Sequence, residues 1–125
     1  MKKIVCIFLS LLILSCTSKT VVKTIEKQDV FGTYNAGITL KDTTGLAPTE
    51  VVGFALCNFV YTFRTDSVDI TSNMGALSNV TTFAWNLKND TLTIDKPKGQ
   101  SVYLIKDTAD GFFLQGKIID ILLKR

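Results

Sequence analysis

The sequence predicts an all-β domain, a sandwich or barrel of about eight short strands. Three observations predict it. Aromatic and β-branched residues recur at period two through most of the chain. Turn residues interrupt them at a spacing of roughly 8–12 residues. Within each run the large residues share one face and the polar ones the other, as in a sheet with one wet side.

Taken in order, residues 31–40 (FGTYNAGITL) are rich in β-formers and carry no helical period. Residues 41–49 (KDTTGLAPT) read as a loop punctuated by Gly45 and Pro48. The apolar run 51–57 suits a strand or a short helix. Beyond it, Phe59, Tyr61 and Phe63 alternate with Val60, Thr62 and Arg64. A turn at Thr65-Asp66 leads into Val68 and Ile70. Residues 72–80 read as a Ser/Asn/Gly loop. In residues 81–87 (TTFAWNL), Phe83, Trp85 and Leu87 share a face. Lys88-Asn89-Asp90 turns the chain into 91–95 (TLTID), with Leu92 and Ile94 together, and Lys96-Pro97-Lys98-Gly99 ends that strand. Residues 101–106 form the next strand. The turn 108–111 ends on Gly111, where a hairpin calls for positive φ, and 112–117 follows. Ile118–Lys124 is a last strand or a short closing helix. Closing such a sheet into a barrel removes its unpaired edges.

The chain of 125 residues has room for one domain. Its first residues read as an export signal. Lys2 and Lys3 form a positive start, and Ile4–Leu14 is an apolar run too short to span a membrane. Leu12-Ile13-Leu14-Ser15-Cys16 resembles the lipobox of bacterial lipoproteins. The resemblance implies a signal peptide over 1–15 and a diacylglyceryl group on the Cys16 thiol. It also implies an acyl chain, such as palmitate, on the new amino terminus. A soluble secreted protein cut near Ser15 is the plain alternative, but Ile13 and Ser15 suit small-x-small cleavage poorly. One acyl chain binds a membrane marginally; two or three hold it. Thr17 stands where an Asp would favour inner-membrane retention in Gram-negative lipoproteins, so the resemblance points to the outer membrane, on either face. Residues 16–30 are then the lipidated N-terminus and a polar tether, with a short first strand through Val21, Val22 and Ile25 as the alternative. Residues 31–125 are the β domain.

Charge and composition exclude some functions. Once Lys2 and Lys3 leave with the leader, 12 basic and 11 acidic residues remain, which gives no reason to expect nucleic acid as a partner. The chain has no histidine, so the commonest general base and metal ligand are missing. Cys6 leaves with the leader and Cys16 carries lipid, so Cys57 is left without a disulfide partner. In its apolar run it reads as a small hydrophobe.

Gly32-Thr33-Tyr34 near the domain start, the hairpin FVYTFRTDSVDI, and the pairs TFAWNLKNDTLTI and VYLIKDTADGFFLQG together resemble the small lipocalin-like domains of bacterial lipoproteins, of the calycin group. The resemblance covers roughly residues 31–125. It implies a small antiparallel up-and-down β-barrel or half-barrel of about eight strands. Tyr34 stands near the place where a Trp is usual, and the domain is short for a lipocalin, which implies a small interior.

Two functions are weighed. The first is an interaction domain held at the membrane through Cys16, docking an envelope protein through loops 41–50 and 72–80, with Asn73, Met74, Leu77 and Asn79 exposed. The second is a barrel that binds a small apolar ligand among Phe59, Tyr61, Phe63, Phe83, Trp85 and Leu92. An aromatic stripe at strand period also serves as plain core. No enzyme is expected, and neither a cofactor nor a metal. The Asp residues lie mostly in turns, where backbone chemistry favours them. Asp66 and Asp69 alone fall short of the six or more oxygens that calcium takes.

Overall fold

The structure is a computed structural model that describes residues 24–125; the expected signal peptide, Cys16 and Thr17, and Val21 and Val22 of the alternative first strand, lie outside the described residues. Eight antiparallel strands close into a barrel in sequential up-and-down order. They are β1 (Gly32–Leu40), β2 (Asn58–Phe63), β3 (Ser67–Met74), β4 (Leu77–Lys88), β5 (Thr91–Lys96), β6 (Gly99–Thr108), β7 (Gly111–Gln115) and β8 (Ile119–Lys124). β1 pairs with both β2 and β8, and that second pairing closes the cylinder.

The register puts the period-two stripes inside. Tyr34 lies opposite Tyr61, Phe63 opposite Val68, Val68 opposite Phe83, and Trp85 opposite Ile94. Directly opposed residues of an antiparallel pair share a face, so one inward choice propagates around the whole barrel. The outward positions include polar or exposed residues such as Thr33, Thr62 and Asp95, together with the half-buried apolar Val60, Phe113 and Leu122.

Up-and-down topology gives the barrel two unlike ends. At the base lie the start of β1, the turns β2–β3, β4–β5 and β6–β7, and the chain's last residue. At the mouth lie the other four connections. Asn89 and Asp90 turn β4 into β5 at φ 51° and 61°, the left-handed geometry of a two-residue hairpin that Asn and Asp tolerate.

Three details differ from the sequence reading, and one decides between alternatives that it left open. Residues 72–80 are hairpin rather than loop: β3 runs to Met74 and β4 begins at Leu77. Gly75, at φ 59°, and Ala76 form the tip, and Ser72, Asn73, Ser78 and Asn79 sit in the paired strands. The run after Pro48 is a helix, α1 (Pro48–Leu56), with Pro in its first turn, where its missing N–H costs nothing. Gly111 does not need positive φ. A Cβ there would lie 2.1 Å from the Leu123 carbonyl oxygen, so the glycine serves the close pairing of β7 with β8. Packing also begins ahead of residue 31. A 3-10 turn over Lys27–Val30 plugs the base, and Ile25 and Val30 belong to the core.

Candidate functional site

The barrel is filled unevenly, and this asymmetry locates the site. At the base an aromatic cluster fills the bore. The Tyr34 and Phe63 ring centroids are 6.0 Å apart, Tyr34 and Phe112 6.0 Å, and Phe63 and Trp85 5.0 Å, all edge-on. Such contacts are the preferred aromatic geometry. The polar atoms of the cluster are satisfied. The Tyr34 hydroxyl donates to the Val30 carbonyl at 2.9 Å, and Trp85 Nε1 donates to the Arg64 carbonyl at 2.8 Å. From outside, Phe31 meets the Trp85 ring edge-on at 6.3 Å and the Lys27 ammonium stands 4.9 Å over it.

The mouth is different. Ala36, Ile38, Phe59, Ile70, Phe83 and Ile119 pack against the core but stay only partly buried. Helix α1 lies across this opening. None of its residues is buried, and Val51, Gly53 and Phe54 are half-buried. Phe54 reaches Phe59 at 5.9 Å between ring centroids. A cavity of about 440 Å³ runs between α1 and the mouth ends of β5, β6 and β8, walled by Leu46, Phe54, Lys96, Tyr103, Ile118 and Ile119 among others. A second of about 240 Å³ lies on the other side of the helix, against Cys57, Phe59 and Ser72. Glu50 and Phe54 wall both. The larger falls in the range of roughly 300–1,000 Å³ usual for small-molecule sites, and apolar walls with a few polar groups are the usual composition.

The rim is pinned on one side. The Lys41 backbone N–H donates to the Ile118 carbonyl at 2.8 Å, and its Nζ donates to the Gly116 carbonyl at 2.8 Å while lying 3.4 Å from the Asp120 carboxylate. Inside, burial pushes the Tyr61 phenol well above its ordinary range, with Tyr103 beside it adding to the shift. Burial also raises the Tyr103 phenol, against a smaller pull from the Ser101 hydroxyl. Burial lowers the Lys96 ammonium, which stands 5.8 Å over the Phe83 ring. All these phenols are neutral hydrogen-bonding groups at neutral pH.

Of the six residues expected to contact a ligand, Phe59 walls a cavity. Phe83 sits at the mouth under Lys96. Tyr61, Phe63, Trp85 and Leu92 are buried core. Sequence reasoning missed Phe54, Lys96, Tyr103 and Ile119. Lys96 was legible: it continues the alternation of Leu92 and Ile94 onto the inward face, although it was read as part of a turn. The helix could not be placed over the mouth from sequence.

Of the residues expected at an interaction surface, Met74, Leu77 and Asn79 are exposed and Asn73 is half-buried. Cys57 is a free thiol, half-buried at the end of α1. Asp69 is engaged by Arg64 and by the Thr82 hydroxyl, and Asp66 by Lys27. No group of three or more metal-ligating side chains occurs among the described residues, and no described helix is long and apolar enough to cross a membrane. Compared with known proteins, the chain finds no significant match to any family model, curated protein or solved structure.

Proposed function

We propose that the chain is a lipid-anchored binding protein of the bacterial cell envelope, held at the membrane through Cys16, that takes a small apolar ligand at the mouth of its barrel. One observation carries the ligand: the bore is packed solid at the base and gives way to a cavity under α1 at the mouth. The space opens to solvent on one side, which gives a ligand a way in. The lipocalin-like resemblance and the lipobox at Leu12–Cys16 support the same reading.

A hydrophobic fluorescent dye tests it. The full chain is expected to take up the dye and brighten it, and Phe54→Trp, which narrows both cavities, to reduce the uptake. Absence of uptake by the unaltered chain would end this reading. Mass spectrometry of the processed protein tests the anchor: an unmodified Cys16 thiol, or membrane attachment that survives Cys16→Ser, counts against it.

A second reading, docking of an envelope protein, is favoured by the β3–β4 hairpin. There Met74, Leu77 and Val80 are 45%, 69% and 57% exposed, more apolar surface in one place than a hairpin tip needs. Cross-linking in the native membrane distinguishes it, since a protein always recovered alone speaks against a partner.

A further inference from the structure

The larger cavity holds a group that a wholly apolar ligand leaves unused. Leu92, Ile94 and Lys96 alternate along β5, so the Lys96 side chain enters from the inward face. Its cross-strand neighbour is Gly99, which has no side chain to fill the space beside it. Its ammonium lies over the inward ring of Phe83 at 5.8 Å. The ion pairs among the described residues join Lys27 to Asp66, Lys41 to Asp120 and Arg64 to Asp69, and none reaches Lys96.

A half-buried ammonium without a carboxylate is unfavourable unless something else answers the charge. The rest of the wall sets the sign and shape of what could. Lys96, Lys117 and Glu50 all line the wall, and Lys117 also lies near the Asp42 carboxylate. Glu50 lies in the first turn of α1, where the free helix amides favour a negative charge. Gln100 spends its amide on Asp95 at 2.7 Å. Ser101 and Tyr103 also line the wall, with their hydroxyls directed at each other, and Leu46, Phe54, Ile118 and Ile119 are apolar.

We propose that the cavity takes an amphiphile with one anionic head group of the carboxylate class, its head paired with Lys96 and its apolar tail lying under α1 against Phe54 and Ile119. This rests on the apolar-ligand reading above. The partial loss of solvent around Lys96 agrees with it, because an incoming anion restores what burial took from the ammonium. A cationic amphiphile meets the wrong sign, and a small inorganic anion leaves the apolar wall uncovered.

Calorimetric titration of the full chain with decanoate and with decanol tests the proposal. Decanoate is expected to bind about tenfold more tightly or better, as a charge-assisted contact gives. Lys96→Met keeps the apolar stem and removes the charge. It should lose that advantage while holding decanol within about threefold of the unaltered chain, which also shows that the cavity is intact. Lys96→Arg should retain the preference for decanoate. Equal binding of the two probes, or an unchanged decanoate affinity in Lys96→Met, overturns the anionic head and leaves the apolar-ligand reading standing. Failure of both probes to bind the unaltered chain overturns both.

Discussion

Arg125 donates from Nη2 to the Tyr34 hydroxyl at 3.1 Å, and the same hydroxyl donates to the Val30 carbonyl. One buried phenol thus ties the last residue of the chain to the first strand and to the plug ahead of it. Arg125 also donates to the Asp29 carbonyl at 3.2 Å, and its guanidinium lies 5.3 Å from the Tyr34 ring centroid.

Tyr34→Phe keeps the ring and its packing but strands the Val30 carbonyl. Leaving a buried acceptor unpaired costs about 1–3 kcal/mol. For a domain of about 100 residues, the thermal midpoint should fall by roughly 5–15 °C. Thermal unfolding followed by circular dichroism checks this. A change of less than 2 °C or so, against the roughly 4–8 °C expected for each kcal/mol, would mean that the hydroxyl does not hold the base together.

Two glycine substitutions should act in opposite directions. Gly111→Ala pushes a methyl into the Leu123 carbonyl, and overpacking of this kind costs about 1–3 kcal/mol. Gly53→Ala, inside α1, meets nothing within 4 Å. It should stabilise by about 0.4–1 kcal/mol, because alanine restricts the unfolded chain and favours helix. Denaturant midpoints of the two variants check the pair, and a common sign would contradict the account.

Acid should weaken the β3–β4 region through Asp69. The Thr82 hydroxyl, donating at 2.7 Å, and then the Arg64 guanidinium hold its carboxyl below the ordinary carboxylate range. A group depressed in the folded state stabilises it above the unfolded value, near pH 4, and that contribution is lost as pH falls through the folded value. Asp69→Asn should therefore be less stable than the unaltered chain at neutral pH, with the gap closing below about pH 4. Parallel stability curves of the two proteins down to pH 2.5 or so, beyond the ordinary carboxylate range, would show that the contact contributes nothing.

Lys96→Met should raise stability while it weakens anion binding. The substitution replaces a half-buried, unpaired ammonium with an apolar side chain of similar length. Relief of that desolvation should be worth about 0.5–1 kcal/mol, the scale of other stabilising changes that cost function. Thermal midpoints measured without ligand check this, and a lower midpoint in Lys96→Met would mean that the ammonium already has a partner.

Much of the barrel was legible because its code is local. Period-two stripes such as Phe59, Tyr61 and Phe63 fix which face turns inward, and Asn89-Asp90 fixes a hairpin. What stayed hidden lacks such a code. The run 51–57 carries no period that chooses helix over strand, and its apolar residues stay half-buried or exposed in the helix. The need of Gly111 for a bare Cα comes from Leu123 on another strand. The aromatic stripe was legible as inward-facing, but not which of its members would fill the base and which would border the mouth. That division follows from which end the plug at Ile25 and Val30 seals, which no pattern within a single strand announces.

The plug also decides which end of the vessel the incoming chain meets. The chain enters at the sealed floor, so the anchor proposed on Cys16 would attach on the floor side, away from the opening. From Cys16 to Ile25 the backbone reaches at most about 30 Å, roughly the height of the ten-residue strand β6. A leash of that length would hold the floor within about one barrel height of the bilayer.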